Sequence, residues 1–131
     1  MDIPTVLKEA KTIAVVGLSD KPDRPSFDVA SYLQKKGYLI IPVNPNIKVW
    51  MGIPAYPSLL AVPASIKVDV VDIFRKSEDV PPIVEEAIKI KAKTIWMQLG
   101  ITNQAAADRA KKAGLNIIMD RCMKIEHMRL G

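Results

Sequence analysis

Five short runs of mainly valine and isoleucine, separated by segments with helical spacing, constrain this chain more than any other feature. They are Thr12 to Gly17, Tyr38 to Val43, Val68 to Ile73, Thr94 to Met97 and Asn116 to Met119. A strand with one face in water alternates apolar and polar residues, whereas a strand buried on both faces is apolar throughout. These runs read as the second kind. Between them, Ser26 can cap a helix that carries Val29, Ala30 and Leu33 on one face, with Gly37 at its end. Asp79 followed by Pro81 and Pro82 starts a second helix, whose buried stripe is Ile83, Val84, Ala87 and Ile88. Asn103 starts a third, with the small face Ala106, Ala110 and Ala113 and a stop at Gly114. A last helix begins at about Arg121, and Trp50 to Pro63 reads as an irregular connection in which Ser58 to Ala61 can make one turn of helix.

Strands that alternate with helices imply an α/β fold: a doubly wound, mostly parallel five-stranded sheet with helices on both faces. With 131 residues, of which 49% are hydrophobic and 25% charged, the chain is expected to form one domain over 1–131. No apolar run approaches the roughly 20 residues of a membrane span, so a soluble, cytoplasmic protein is expected, with no membrane contact. The lone Cys122 and lone His127 cannot build a zinc site, and no metal is expected. A net charge of +5 favours an anionic partner, but the lysines are scattered and no nucleic-acid motif is present.

Ligands of doubly wound sheets bind beyond the carboxyl ends of the strands. The residues to inspect are therefore Gly17, Leu18 and Ser19, then Val43, Asn44 and Pro45, then Phe74, Arg75 and Lys76, then Gln98, Leu99 and Gly100, and finally Asp120 to Cys122. The first tip runs into a helix N-terminus, where backbone N–H groups attract phosphate and Ser19, Lys21, Arg24 and Ser26 can add hydrogen bonds and charge. The dinucleotide fingerprint G-x-G-x-x-G is absent, since Ser19 and Pro22 stand where its second and third glycines belong. No acidic residue closes the second strand to hold an adenosine ribose, and no phosphate-binding G-x-x-x-x-G-K-[ST] loop occurs. NAD and ATP of those types are disfavoured.

Several blocks at these tips resemble the small stand-alone CoA-binding protein family, which is related to the CoA-binding domain of succinyl-CoA synthetase alpha subunits and of ADP-forming acyl-CoA synthetases. The likeness rests on Val16-Gly17-Leu18-Ser19 with Arg24-Pro25-Ser26, on Gly37-Tyr38 and Ile41 to Pro45, and on Gly52 to Leu59. It continues through Val71 to Arg75, Trp96 to Gly100, and Asp120 to Lys124 with Glu126-His127. The resemblance implies a Rossmann-like domain with coenzyme A, free or acylated, lying across the strand tips. It further implies that Gly17, Ser19, Arg24 and Ser26 lie near the phosphates, that Asn44 and Pro45 lie beside the nucleotide, and that Phe74 to Lys76 and Gln98 to Gly100 bound the ligand on its two sides. A missing ribose carboxylate suits CoA, whose 3'-phosphate it would repel. Lys48 and the pair Arg75 and Lys76, expected from neighbouring strand ends, are candidates to meet that phosphate.

No complete catalytic set is evident. A ligase of the succinyl-CoA synthetase type needs a phosphorylatable histidine and a nucleotide-grasp domain, and only His127 is present. Ser19, His127 and Asp120 exist, but no Gly-x-Ser-x-Gly elbow positions a nucleophile. Cys122 reads first as a small buried side chain at a helix start, and second as a contact for the CoA thiol, with Arg121 and Lys124 favouring its thiolate. The leading reading is non-catalytic CoA binding, as carrier, store or sensor. A CoA-dependent enzyme or ligase subunit is the second, and a dinucleotide or nucleic-acid binder the third.

Overall fold

Every one of the five apolar runs becomes a strand of one parallel sheet. The computed structural model describes residues 1–131, with the elements α1 (Ile3–Glu9), β1 (Thr12–Val16), α2 (Pro25–Lys35), β2 (Leu39–Val43), β3 (Val49–Trp50) and β4 (Ile53–Pro54). They are followed by β5 (Val70–Ile73), α3 (Val80–Lys89), β6 (Thr94–Met97), α4 (Gln104–Lys112), β7 (Asn116–Ile118) and α5 (Met123–Met128). The sheet order is β2-β1-β5-β6-β7 with every pair parallel, so the chain reverses direction across the sheet between β1 and β5. This is a Rossmann-like α/β fold, and the crevice of such a sheet opens at that switch point.

The period of two along each strand sends its apolar residues to two separate cores. Ala14, Val16, Val71, Ile73, Ile95 and Met97 pack against α3 and α4, while Ile13, Val15, Val70 and Trp96 pack against α1, α2 and α5. Burying one such Val, Leu or Ile side chain is worth about 1.5–3 kcal/mol, which is why both faces of these strands are mainly apolar. Asp72 is the one charged residue among them. It sits in register between Val15 and Trp96, fully buried, on the face toward α2 and α5.

Several expected boundaries shift for identifiable reasons. Helix α2 starts one residue before Ser26, because Pro25 fills the first helical position and Arg24 becomes its cap residue, without a side-chain bond. Ser26 is therefore not the cap. A single 3₁₀ turn at Ser77–Asp79 precedes α3, and Asp79 occupies the cap position without using its side chain. On α4 the buried face is Ala106, Ala107 and Ala110, with Ala113 exposed at the end; Asn103 caps it by accepting from the Ala106 N–H at 3.0 Å.

Helix α1 was not expected, although Asp2 accepts from the Thr5 N–H at 2.9 Å and Pro4 lies in the first turn. The presumed irregular connection holds a small antiparallel hairpin, β3 with β4, turned by Met51 and Gly52, both at positive φ. Trp50 anchors it, fully buried and edge-on to Phe27 at 5.4 Å. Lys48 and Arg75–Lys76 do not come from neighbouring strands: β1 lies between β2 and β5, so they flank the first tip from opposite sides.

Candidate functional site

The loop from β1 to α2 is held by its own backbone. Gly17 has φ +87°, donates its N–H to the Val43 carbonyl at 2.8 Å, and passes so close to β5 that a Cβ there would stand 2.6 Å from the Phe74 carbonyl oxygen. Only glycine satisfies both demands. Leu18 is fully buried and pins the loop to the core, while its carbonyl accepts from Asn44 Nδ2 at 3.0 Å. Ser26 Oγ accepts from the Ser19 N–H at 2.9 Å, and Ser19 Oγ accepts from the Lys21 N–H at 3.1 Å.

These bonds sort the sequence candidates. Leu18 and Val43 turn their side chains into the core, Ser26 is nearly buried, and Asn44 spends its carboxamide on Leu18 and on the Asn46 N–H. They build the loop. Gly17, Ser19, Lys21, Arg24 and Ser26, with Phe74, surround an open hollow of about 330 Å³. Lys21 and Arg24 form no ion pair, and the N–H groups of Ser26 and Phe27 at the start of α2 have no partner in the chain. Free cations and free backbone donors at a helix start favour an anion.

A second hollow, about 490 Å³, adjoins the first and shares Pro25 and Phe74 with it. Its walls are mainly apolar: Val29 of α2, Phe74 after β5, Leu99 and Ile101 after β6, and Ile125 of α5. Its polar lining is Gln98, the half-buried free thiol of Cys122, Asp28 and Arg75. Gln98 Oε1 accepts from the Met123 N–H at 3.0 Å, and Trp96 Nε1 donates to the Arg121 carbonyl at 2.8 Å, so β6 fixes the start of α5. The charged residues that line it are paired: Arg75 with Asp79 at 3.2 Å and Asp28 with Lys124 at 2.9 Å. Lys76 is exposed and unpaired, Pro45 is exposed beside the β2 tip, and Gly100 donates to Asp120 Oδ1 at 2.6 Å.

The two hollows form one groove across the tips of β1, β5 and β6, polar at one end and apolar at the other. Residues 11–128 match the profile of the family described as CoA binding domain. The chain belongs to that family. It is 43% identical over 126 residues to the uncharacterized protein YneT of Bacillus subtilis, covering 96% of this chain and 92% of that one. A hypothetical protein of Pyrococcus horikoshii superposes with a TM-score of 0.95 at 44% identity, covering 99% of this chain and 91% of its own. The ADP-forming acetate–CoA ligase II of Archaeoglobus fulgidus is 31% identical over 78 residues, which are 58% of this chain and 11% of that protein.

A larger depression of about 590 Å³ lies between α1, the β7 edge and α5, but its charges are already used. Asp2 caps α1, Glu126 pairs with Arg129 at 2.7 Å, and Arg121 donates to the Asp120 carbonyl at 3.0 Å. His127 is outside the groove, bonded through Nδ1 to the Tyr32 hydroxyl at 2.8 Å and edge-on to Tyr38. Burial and then Lys36 hold its pKa below the usual 6.5. Asp28 and Val29 on α2, Ile125 on α5 and Ile101 in the loop after β6 also line the groove; they lie outside the blocks at the strand ends that the sequence singles out. No helix of the chain is long and apolar enough to cross a membrane.

Proposed function

We propose that residues 1–131 act as one domain that binds coenzyme A non-catalytically, as a carrier, store or sensor. The observation that carries this reading is the polarity of the groove. CoA has phosphates at one end and an uncharged pantetheine arm ending in a thiol at the other, and the two hollows offer free donors and cations, then apolar walls, in the same succession. In this reading the pyrophosphate lies over Gly17 and Ser19 within reach of Lys21 and Arg24. The nucleotide half extends toward Asn44 and Pro45, and the pantetheine arm passes Phe74 and Arg75 toward Gln98, Leu99 and Cys122.

The partial match to an acetate–CoA ligase favours a second reading, as a subunit of an acyl-CoA ligase. The chain's own residues support it less, because its one histidine is engaged with Tyr32 away from the groove. Thermal unfolding with equal concentrations of CoA and NAD tests the first reading. CoA at about 100 times its dissociation constant is expected to add roughly 2.7 kcal/mol, and NAD much less. Equal shifts from both ligands would reject it.

A further inference from the structure

We propose that the apolar end of the groove receives an acyl thioester, with Gln98 reading the thioester carbonyl and the adjoining apolar walls taking an uncharged acyl chain. This rests on CoA being the ligand and names the form of it that the site prefers.

Gln98 is only 5% exposed, and its carboxamide is fixed: Oε1 accepts from the Met123 N–H, which leaves the Nε2 donors pointing away from that bond. Nε2 has no partner in the chain and is not fully enclosed, and Gln98 lines the hollow. An unpartnered amide donor on a mainly apolar hollow calls for an acceptor on the ligand. Beyond it, Leu99 and Ile125 stand 63% and 42% exposed on the walls of the same hollow, and an apolar chain would cover them.

A free CoA thiol offers neither a good acceptor nor an apolar tail, whereas an acyl thioester offers both in sequence. The cations at this end are neutralised, Arg75 by Asp79 and Lys124 by Asp28. Asp28 and Arg75 are the charged residues that line the hollow and both are already paired, so an acyl chain ending in a carboxylate would find no unpaired cation among the lining residues. The preferred class is therefore a neutral acyl-CoA.

Titration calorimetry with CoA, butyryl-CoA and S-butyl-CoA, a thioether lacking only the carbonyl oxygen, separates these contributions. Butyryl-CoA is expected to bind about tenfold more tightly than CoA, and the thioether several-fold more weakly than butyryl-CoA, as loss of one hydrogen bond implies. In Gln98→Glu, which keeps an oxygen for the Met123 N–H and removes the donor, butyryl-CoA and the thioether should bind equally. Equal affinities of those two ligands for the unmodified protein would overturn the carbonyl contact, and equal affinities of CoA and butyryl-CoA would overturn the acyl chamber. Failure of all three to bind would instead reject the CoA reading beneath it.

Discussion

Asp72 places a carboxyl group where the strand would otherwise carry an apolar residue. Both its oxygens are enclosed with no hydrogen-bond partner, and burial pushes its pKa well above the ordinary 3.8. A folded-state pKa above the unfolded one means that, from about pH 4 upward, the unfolded chain releases a proton that the native state retains. Stability then falls as pH rises, by about 1.4 kcal/mol per unit until the folded pKa is reached. Asp72→Asn, similar in shape and uncharged, should match the wild type near pH 3 and exceed it progressively above pH 4 in thermal unfolding. Parallel stability curves would show that Asp72 does not titrate as burial requires. Residues of this kind are poorly legible in sequence, because Val-Asp-Ile inside an apolar run does not reveal which face the carboxyl meets. Gly17 was legible, since a glycine between a buried strand and a helix has few other uses.

At the scale of elements, the strands and long helices were readable because each carries enough residues to express a period. The β3–β4 hairpin was not, having two residues per strand and a turn at Met51-Gly52 in place of the usual Asn-Gly or Asp-Gly. Helix α1 is only seven residues long, so its Asp2 and Pro4 start signals are followed by too few turns to express a helical period. Helix α5 matters most for the site, because Gln98, Trp96 and Asp28 fix it so that Cys122 faces the apolar hollow. If the pantetheine arm ends there, the Cys122 thiolate can attack the disulfide of oxidised CoA, forming a protein–CoA disulfide and releasing one CoA thiolate. With Lys124 already paired to Asp28, this exchange should be slow but specific. Intact-mass spectrometry should find a single adduct, reversed by a reducing agent and absent in Cys122→Ser. Modification only after denaturation would place the thiol out of the arm's reach.

Across the whole molecule, the sheet order decides how the net charge of +5 can act on a ligand, and here the sequence reading errs, setting the ends of β2 and β5 side by side. Periodicity names the strands but not their neighbours, and with β1 between β2 and β5 the cations at Lys48 and at Arg75–Lys76 come from opposite sides of the β1–α2 loop. A nucleotide extending toward Asn44 and Pro45 would carry its 3'-phosphate to the Lys48 side. Arg75 lies on the other side, and its guanidinium is already bonded to Asp79. Dephospho-CoA should therefore bind more weakly than CoA by about tenfold at low salt, as one charge-assisted hydrogen bond implies. Because Lys48 is exposed, the difference should shrink as salt screens the pair. Lys48→Met should bind the two ligands about equally, whereas Arg75→Met and Lys76→Met should still distinguish them. If calorimetry instead finds that Arg75→Met or Lys76→Met abolishes the difference, the nucleotide half extends over β5, and the ligand runs across the sheet in the opposite direction from that inferred here.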